Sequence, residues 1–352
     1  MAPRFVDLFA GIGGFSCGLE MAGYQCTAAI EIDPAVAELF AQNHGQNGSS
    51  PATLCGDIAA FTSEALQSAT GLDIGELDLL VGGPPCQGFS TIGKRKVDDG
   101  RNKLVFEYVR VLTAFRPQAF ILENVPGLES FAQGKVLGQL LSLCREAGYA
   151  NVKYSVVDAT TCGVPQRRRR IVLYGSRTGS LPDLGDGRQT RSPATVEQAL
   201  SGLPDPWETL RRHPKGTPAP YRRGRHSDYA RGLRGGQPLV TRWEPVRHTA
   251  SIQSAYSALG PGETDPLTKC FRLAPDRPAR TLRAGCKGRT ACRPVHPHQD
   301  RVITVREAAR LQSFPDTWLF PNTTSGAHRA IGNAVPPLMA KSIGMRLLEV
   351  LA

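Results

Sequence analysis

The first 175 residues contain a series of short apolar runs, each closed by Gly, Pro, Asp or Glu and separated from the next by a helix-like stretch. Runs over residues 5–9, 25–30, 77–81, 119–122, 152–157 and 171–174 read as buried strands, and helices are expected over 14–22, 34–43, 102–115 and 135–147. Continuous apolar runs, in place of apolar–polar alternation, indicate strands covered on both faces. The pattern therefore predicts an α/β fold whose mostly parallel sheet carries helices on both sides. Such sheets bind ligands beyond the carboxyl ends of their strands, where the closing turns of this sequence fall.

Beyond residue 174 the pattern breaks down. Gly, Pro, Arg and Ser dominate from 175 to about 301, yet Trp207, Trp243, Tyr256, Phe271 and Leu273 can supply a small core, so an irregular second domain is expected and not a linker. Regular structure resumes over 305–313, and a final apolar helix is expected over 335–351.

The net charge of +11 is divided unevenly. Residues 1–150 hold ten Lys and Arg against sixteen Asp and Glu, which leaves thirty-two against fifteen for the remainder. Between Arg211 and Arg247 ten basic residues face only Asp228 and Glu244, a cluster that suits a polyanion such as nucleic acid. Nine cysteines at irregular spacings indicate reduced thiols, one of which is then available as a nucleophile. The N-terminus lacks the features of a secretory signal, and no apolar run reaches the roughly 18 residues of a membrane span, so a cytoplasmic location without membrane attachment is expected.

Three stations suggest a nucleoside cofactor. The turn from Asp7 to Gly14 puts Gly11, Gly13 and Gly14 directly after a strand, where bare backbone can approach a ligand. Glu31 closes the second strand and can accept from ribose hydroxyls. Gly56-Asp57-Ile58 offers a carboxylate for an adenine amino group beside an apolar wall. Ser16 breaks the GxGxxG spacing, which argues against a pyrophosphate dinucleotide and for an adenosyl group.

The nucleophile candidate is Cys86, in Gly-Gly-Pro-Pro-Cys-Gln-Gly-Phe-Ser ending at Ser90. Its prolines constrain the backbone, and a nearby cation or helix terminus would raise its thiolate fraction. Glu123 ends the next strand, where a desolvated carboxyl group can share a proton with a ring nitrogen. Gln166-Arg-Arg-Arg-Arg leads into the strand at 171, so Arg168 and Arg170 are expected on one side, able to hold a carbonyl and favour the thiolate. Cys286, Cys292, His296 and His298 have the residue types of a zinc site at a spacing that fits no common finger, and no metal is expected.

Taken in order, DLFAGIGG, Glu31, GDI, GGPPCQGFS, ENV, QRRRR, REAARLQSFPD and IGNAVPP resemble the motifs of the bacterial-type DNA cytosine-5 methyltransferases, over about residues 5–175 and 302–352. The resemblance implies an S-adenosylmethionine-dependent methyltransferase of Rossmann-like fold with a smaller, irregular target-recognition domain. The large catalytic and cofactor-binding domain would comprise 1–177 with 325–352, its last helix packing back on the N-terminal sheet, and the small domain 178–324. Phe9, Gly11, Gly13, Gly14, Glu31, Asp57, Ile58, Asn333 and Val335 would line the cofactor site. Cys86 would attack carbon 6 of a cytosine flipped from duplex DNA, with Glu123 at ring nitrogen 3 and Arg168 and Arg170 assisting. Ser90, Lys94 and Arg95, in a loop resembling the family's mobile one, would meet DNA, as would Gln166 and the Thr281-Leu282 pair.

The implied partner is double-stranded DNA, acted on by a monomer associated with the nucleoid, with a cognate restriction endonuclease acting separately. Two rival readings use the same motifs: a tRNA cytosine-5 methyltransferase and a non-catalytic DNA-binding relative. The long basic segment 178–300 favours duplex DNA over the first, and the filled catalytic positions favour an enzyme over the second.

Overall fold

The computed structural model describes residues 1–44, 50–85, 103–185, 192–266, 269–284 and 293–351. The chain divides into two units, one of Met1–Asp158, Arg169–Gln189 and Pro337–Ala352, the other of Ala159–Arg168 and Thr190–Pro336. The boundaries differ from those expected: residues 159–168 and 325–336 group with the second unit.

The first unit is built on a seven-stranded sheet: β1 (Arg4–Leu8), β2 (Gln25–Glu31), β3 (Ala52–Cys55), β4 (Leu79–Gly82), β5 (Ala119–Asn124), β6 (Asn151–Asp158) and β7 (Arg169–Ser176). The order across the sheet is β3-β2-β1-β4-β5-β7-β6, with β7 antiparallel to both neighbours and the other paired strands parallel. Strand β3 was absent from the sequence reading because its four residues, ATLC, are too few and too polar to stand out.

The helices of this unit are α1 (Gly14–Met21), α2 (Pro34–His44), α3 (Ser63–Thr70), α4 (Leu104–Phe115), α5 (Gly127–Ser130), α6 (Lys135–Glu146) and, at the C-terminus, α13 (Pro337–Leu351). On α4, Val105, Tyr108, Val109, Val111, Leu112 and Phe115 recur at helical spacing and are buried. They join Val6, Leu8, Leu80, Phe120 and Leu122 from one face of the sheet and Leu137 and Leu140 from α6 in a single core. The opposite face meets α1 and α13: Ser16 bonds Asp7, and Tyr24 stacks edge-on against Phe5 while donating to Gly344 O at 2.9 Å. The last helix thus packs on the N-terminal elements as expected, and it does so closely. A Cβ on Gly18 would lie 2.2 Å from Pro337 O.

The second unit has little regular structure: α7 (Val196–Leu200), α8 (Pro206–Leu210), β8 (Ala219–Pro220), α9 (Asp228–Arg234), β9 (Leu239–Val240), α10 (Ala250–Ser257), α11 (Val305–Leu311) and α12 (Thr324–Asn333). The single C-terminal helix expected over 335–351 is preceded by α12, and Pro336 and Pro337 separate the two. Two small cores serve this unit. Trp243 packs with Leu203, Ala219, Tyr221 and Val240, and Tyr256 packs with Cys270, Val295 and Val302. Among the described residues no helix is long and apolar enough to cross a membrane.

Candidate active site

Strand register lines up the carboxyl ends of the first unit. Ile30, Leu8, Gly82 and Leu122 pair in succession across β2, β1, β4 and β5, so the residues that follow them, Glu31, Phe9, Gly83 and Glu123, form the next row. Strand order reverses between β1 and β4, the point where open sheets of this kind leave a crevice for a ligand.

At the β1 end, backbone φ is positive at Phe9 (61°), Gly11 (57°) and Gly13 (81°), producing a tight loop before α1. A Cβ on Gly11 would meet nothing within 4 Å, so this glycine answers to backbone conformation and borders open space. At Gly13 a Cβ would strike the imidazole of His44, which is itself held by Glu20 at 2.8 Å. Gly14 begins α1. Both oxygens of Glu31 brace the turn, Oε2 accepting from Gly11 N at 2.9 Å and Oε1 from Asp33 N at 3.0 Å. A carboxylate has about four acceptor sites, so this bracing leaves capacity for a ligand hydroxyl.

Asp57 caps the short 3-10 turn Ile58–Ala60 through Ala59 N and remains exposed. Ile58 is turned into the core at 3 % exposure, and two apolar side chains outside the expected set stand near the same turn. Ile32, 66 % exposed, follows Glu31 directly, and Phe61 lies over Gly56. Arg110 of α4 fastens this segment, donating to Ile58 O at 2.8 Å and Phe61 O at 3.1 Å. An exposed apolar residue beside a strand-closing acid was the available signal for Ile32.

Charge around the turn is negative. Asp7, 1 % exposed, accepts from Ser16 Oγ; burial, and then the neighbouring Glu31 and Glu20, lift its carboxyl group to about 7 against that hydrogen bond. Such a field disfavours a pyrophosphate and suits a cationic ligand. With two acids for hydroxyl and amino groups and apolar side chains beside them, these residues fit an adenosyl sulfonium.

At the β4 end, Gly82 is enclosed by Leu8 O and the ring of Tyr108, whose hydroxyl lies 3.0 Å from both Leu80 O and Ile121 O. Asn124 Nδ2 donates to Pro84 O at 3.2 Å, fixing the turn that leads to Cys86. Cys86 itself, with Ser90, Lys94 and Arg95, lies outside the described residues. Glu123 lies within β5, with side-chain exposure of 10 %, and its Oε1 receives Arg170 Nε at 2.6 Å. Its Oε2 is 3.1 Å from the position a Cβ on Gly83 would take.

The expected pairing of Arg168 with Arg170 on one strand face is not seen, because β7 begins at Arg169 and strand alternation does not extend to residue 168. Arg168 is buried in the second unit and donates to Leu282 O, Gly332 O and Ala334 O at 3.4, 2.9 and 3.0 Å. Gln166, expected at a DNA contact, is fully buried. It donates to Leu311 O and Gln312 Oε1 and accepts from Leu282 N, so its amide is committed internally. Leu282 is buried with it, and Thr281 donates to Arg167 O at 2.6 Å. In the same unit Asn333 ends α12 exposed, while Val335 is buried. His298 pairs with Glu197 at 2.8 Å and His296 lies 3.6 Å from Glu307; Cys286 and Cys292 are outside the described residues.

The open sheet with one antiparallel strand inserted beside its edge, and acids in place of a dinucleotide fingerprint, define a methyltransferase fold of the S-adenosylmethionine-dependent class. The family model for C-5 cytosine-specific DNA methylases matches residues 3–349, so the chain belongs to that family and is a DNA cytosine-5 methyltransferase. Similar proteins include the Type II methyltransferase M.XorII of Xanthomonas oryzae pv. oryzae, 37 % identical over 99 % of this chain and 85 % of that one. The Type II methyltransferase M.AgeI of Thalassovita gelatinovora is 29 % identical over 97 % of this chain and 98 % of its own. Among solved structures, a prophage-encoded putative DNA modification methyltransferase of E. coli superposes with a TM-score of 0.81 at 29 % identity, covering 99 % of both chains.

Proposed function

We propose that this enzyme methylates carbon 5 of a cytosine extruded from a specific duplex DNA sequence, with Cys86 as covalent nucleophile and S-adenosylmethionine as methyl donor. The observation that carries the reading is Glu123, held by Arg170 at 2.6 Å with its second oxygen over Gly83, three residues before Cys86. Carbons 5 and 6 of a stacked cytosine are hidden, so the base leaves the helix at a cost of a few kcal/mol. The Cys86 thiolate then forms a bond to carbon 6, and the electron pair of the ring double bond moves toward carbon 5. Glu123, hydrogen-bonded to ring nitrogen 3, stabilises the charge that develops on the ring. S-adenosylmethionine, when bound, supplies an electrophilic methyl group. Loss of the carbon 5 proton to a base and departure of the Cys86 thiolate restore the aromatic ring.

Glu31 and Asp57 would hold the ribose and adenine of the cofactor, with Phe9, Ile32 and Phe61 as apolar walls and the turn at Gly11 to Gly14 admitting its chain. Asn333 and Val335 would complete the site. Arg170 orients Glu123, while Arg168 supports the backbone at Gly332 and Ala334 and so acts on the site indirectly. The basic segment of the second unit would carry target recognition, and the enzyme would act as a monomer in the cytoplasm. The Type II naming of its relatives supports a cognate endonuclease that acts separately on the unmethylated site.

A duplex carrying 5-fluorocytosine at the target, incubated with cofactor, tests the reading because fluorine cannot leave as the carbon 5 proton does. The wild type is expected to form a denaturation-resistant adduct through Cys86, and Cys86→Ser none. No adduct, or an adduct through another residue, overturns the assignment, as does transfer to tRNA without transfer to duplex DNA.

A further inference from the structure

Tyr108 of α4 is fully buried, and its hydroxyl lies 3.0 Å from Leu80 O of β4 and 3.0 Å from Ile121 O of β5. A phenol carries a single proton, so the two carbonyls share it and both strands are drawn to the same atom. Burial raises the phenol well above its ordinary value, which keeps it a donor. The ring lies against Gly82. A Cβ there would come within 3.1 Å of ring carbons and 2.7 Å of Leu8 O, so the strand passes this close only without a side chain.

The tie falls close to the chemistry. Strands β4 and β5 are parallel neighbours, with Val81 opposite Ile121 and Gly82 opposite Leu122. On β5, Ile121 lies two residues, about 7 Å of strand, before Glu123. On β4, Leu80 lies two residues before the strand end at Gly82. Gly83 follows, its Cβ position 3.1 Å from Glu123 Oε2, and then Pro84, whose carbonyl accepts from Asn124 and from which the chain leads to Cys86. A second tyrosine supplies the contrast. Tyr149 is also fully buried and packs edge-on against Phe120, the ring that Tyr108 approaches at 6.4 Å, and both belong to the same core. Its hydroxyl, however, donates to Pro117 O at 2.7 Å, before the amino end of β5 and away from Glu123.

We infer that Tyr108 is a positioning residue for methyl transfer: its shared hydroxyl proton sets the spacing of β4 against β5 and thereby the placement of Cys86 relative to Glu123. This rests on Cys86 and Glu123 being the nucleophile and its partner acid. Losing the hydroxyl releases both carbonyls at once. The rate is the sensitive quantity, since a misplacement of about 1 Å between reacting groups costs about 10²-fold.

The test uses the full chain. Tyr108→Phe keeps the ring against Gly82 and removes only the oxygen, and Tyr149→Phe makes the matched change at the other end of β5. Both are expected to lower the melting temperature alike, by about 2–4 °C. Single-turnover methyl transfer at saturating duplex and cofactor should fall about tenfold in Tyr108→Phe and stay within about twofold in Tyr149→Phe, with the Kd for duplex and for cofactor kept within about twofold in both. In a Glu123→Gln background the effect of Tyr108→Phe should shrink below about threefold, because the two residues act on one geometry. Replacement of Tyr108 by 4-aminophenylalanine, which returns a neutral donor to the same carbonyls, should restore most of the rate. Equal rate losses in the two phenylalanine variants overturn the inference, as does an unchanged rate in Tyr108→Phe, a loss confined to binding, or the full tenfold loss in the Glu123→Gln background. A Tyr108→Phe chain that does not fold, with no recovery by 4-aminophenylalanine, makes the side chain a folding element and also overturns it. A wild type that forms no Cys86 adduct with 5-fluorocytosine DNA removes the proposed function as well, whereas a normal adduct beside indistinguishable variants removes only this inference.

Discussion

The two units bury their acids in opposite ways. In the first, Asp7 has a hydroxyl for company, Ser16 Oγ at 2.5 Å, and burial lifts its carboxyl group to about 7. In the second, burial acts upward on Glu307 too, yet Arg301, bonded to it at 2.8 and 2.7 Å, draws it down to about 2. Asp316 is likewise lowered against its burial, by Arg310 at 2.9 and 2.6 Å and by Arg306, and it also accepts from Tyr221.

The difference follows from what satisfies the backbone. A sheet pairs its own amides and carbonyls, so the first unit can fill its interior with apolar side chains. The second has little regular structure, and its loop carbonyls need other donors. Arg310 serves Ala199 O and Ser201 O, and Arg306 serves Thr241 O, Pro315 O and Trp318 O. Arg272 serves Leu259 O, Tyr256 O and His296 O. Each guanidinium is a five-donor hub, and the buried acids balance its charge.

Glu123 stands between these cases, an acid near the carboxyl end of a central strand with one arginine, and removing it should show the largest effect. Glu123→Gln is expected to cut kcat by about 10²–10⁴ with the melting temperature little changed; steady-state methyl transfer checks this, and a loss under tenfold would separate Glu123 from the chemistry. Asp316→Ala leaves Arg310 and Arg306 without their shared acid and should destabilise the second unit by about 3–5 kcal/mol, read from hydrogen exchange in α11. Replacing Arg310 and Asp316 together with apolar residues should recover most of that loss, and if it does not, the carbonyl contacts of Arg310 outweigh the ion pair.

Proton linkage gives the next test, with opposite signs in the two units. Asp7 is raised on folding, so its contribution is fully present below about pH 4 and is lost as pH rises through about 7, on the order of 4 kcal/mol at most. Asp7→Asn should flatten that segment of the stability profile in urea titrations. Glu307 is lowered, so its contribution is present above about pH 4.5 and disappears as pH falls through about 2; His296, kept neutral by burial to about 4, adds loss as pH falls below about 6.5. A first unit whose stability rises from pH 4 to 7 would contradict the contrast. The smallest effect should come from Asn124→Ala, which frees Pro84 O at a cost of about 1 kcal/mol but should raise the mobility of the turn before Cys86, measurable as slower adduct formation with 5-fluorocytosine DNA.

Much of the first unit could be read from the chain alone. Six of the seven strands begin within two residues of their expected starts, and β3 is too short and polar to stand out in the sequence. Glu31 closes β2, Asp57 caps the turn after β3 and the glycine turn follows β1, each at the strand end its sequence position indicates. The errors concentrate at long polar side chains near the unit boundaries. Arg168 and Gln166, expected at the substrate, are both buried on backbone carbonyls more than a hundred residues away in sequence. Nothing in QRRRR distinguishes an arginine that meets a ligand from one that satisfies a loop.

The chain by itself determined the strand-and-turn order and the placement of chemistry at strand ends, because apolar length, glycine and proline act on their own backbone and immediate neighbours. Only the tertiary structure decided which acids stay charged, which arginine faces Glu123 and which glutamine is buried. Those outcomes depend on desolvation and on charges brought within a few ångströms by segments distant in sequence, and neither is written locally.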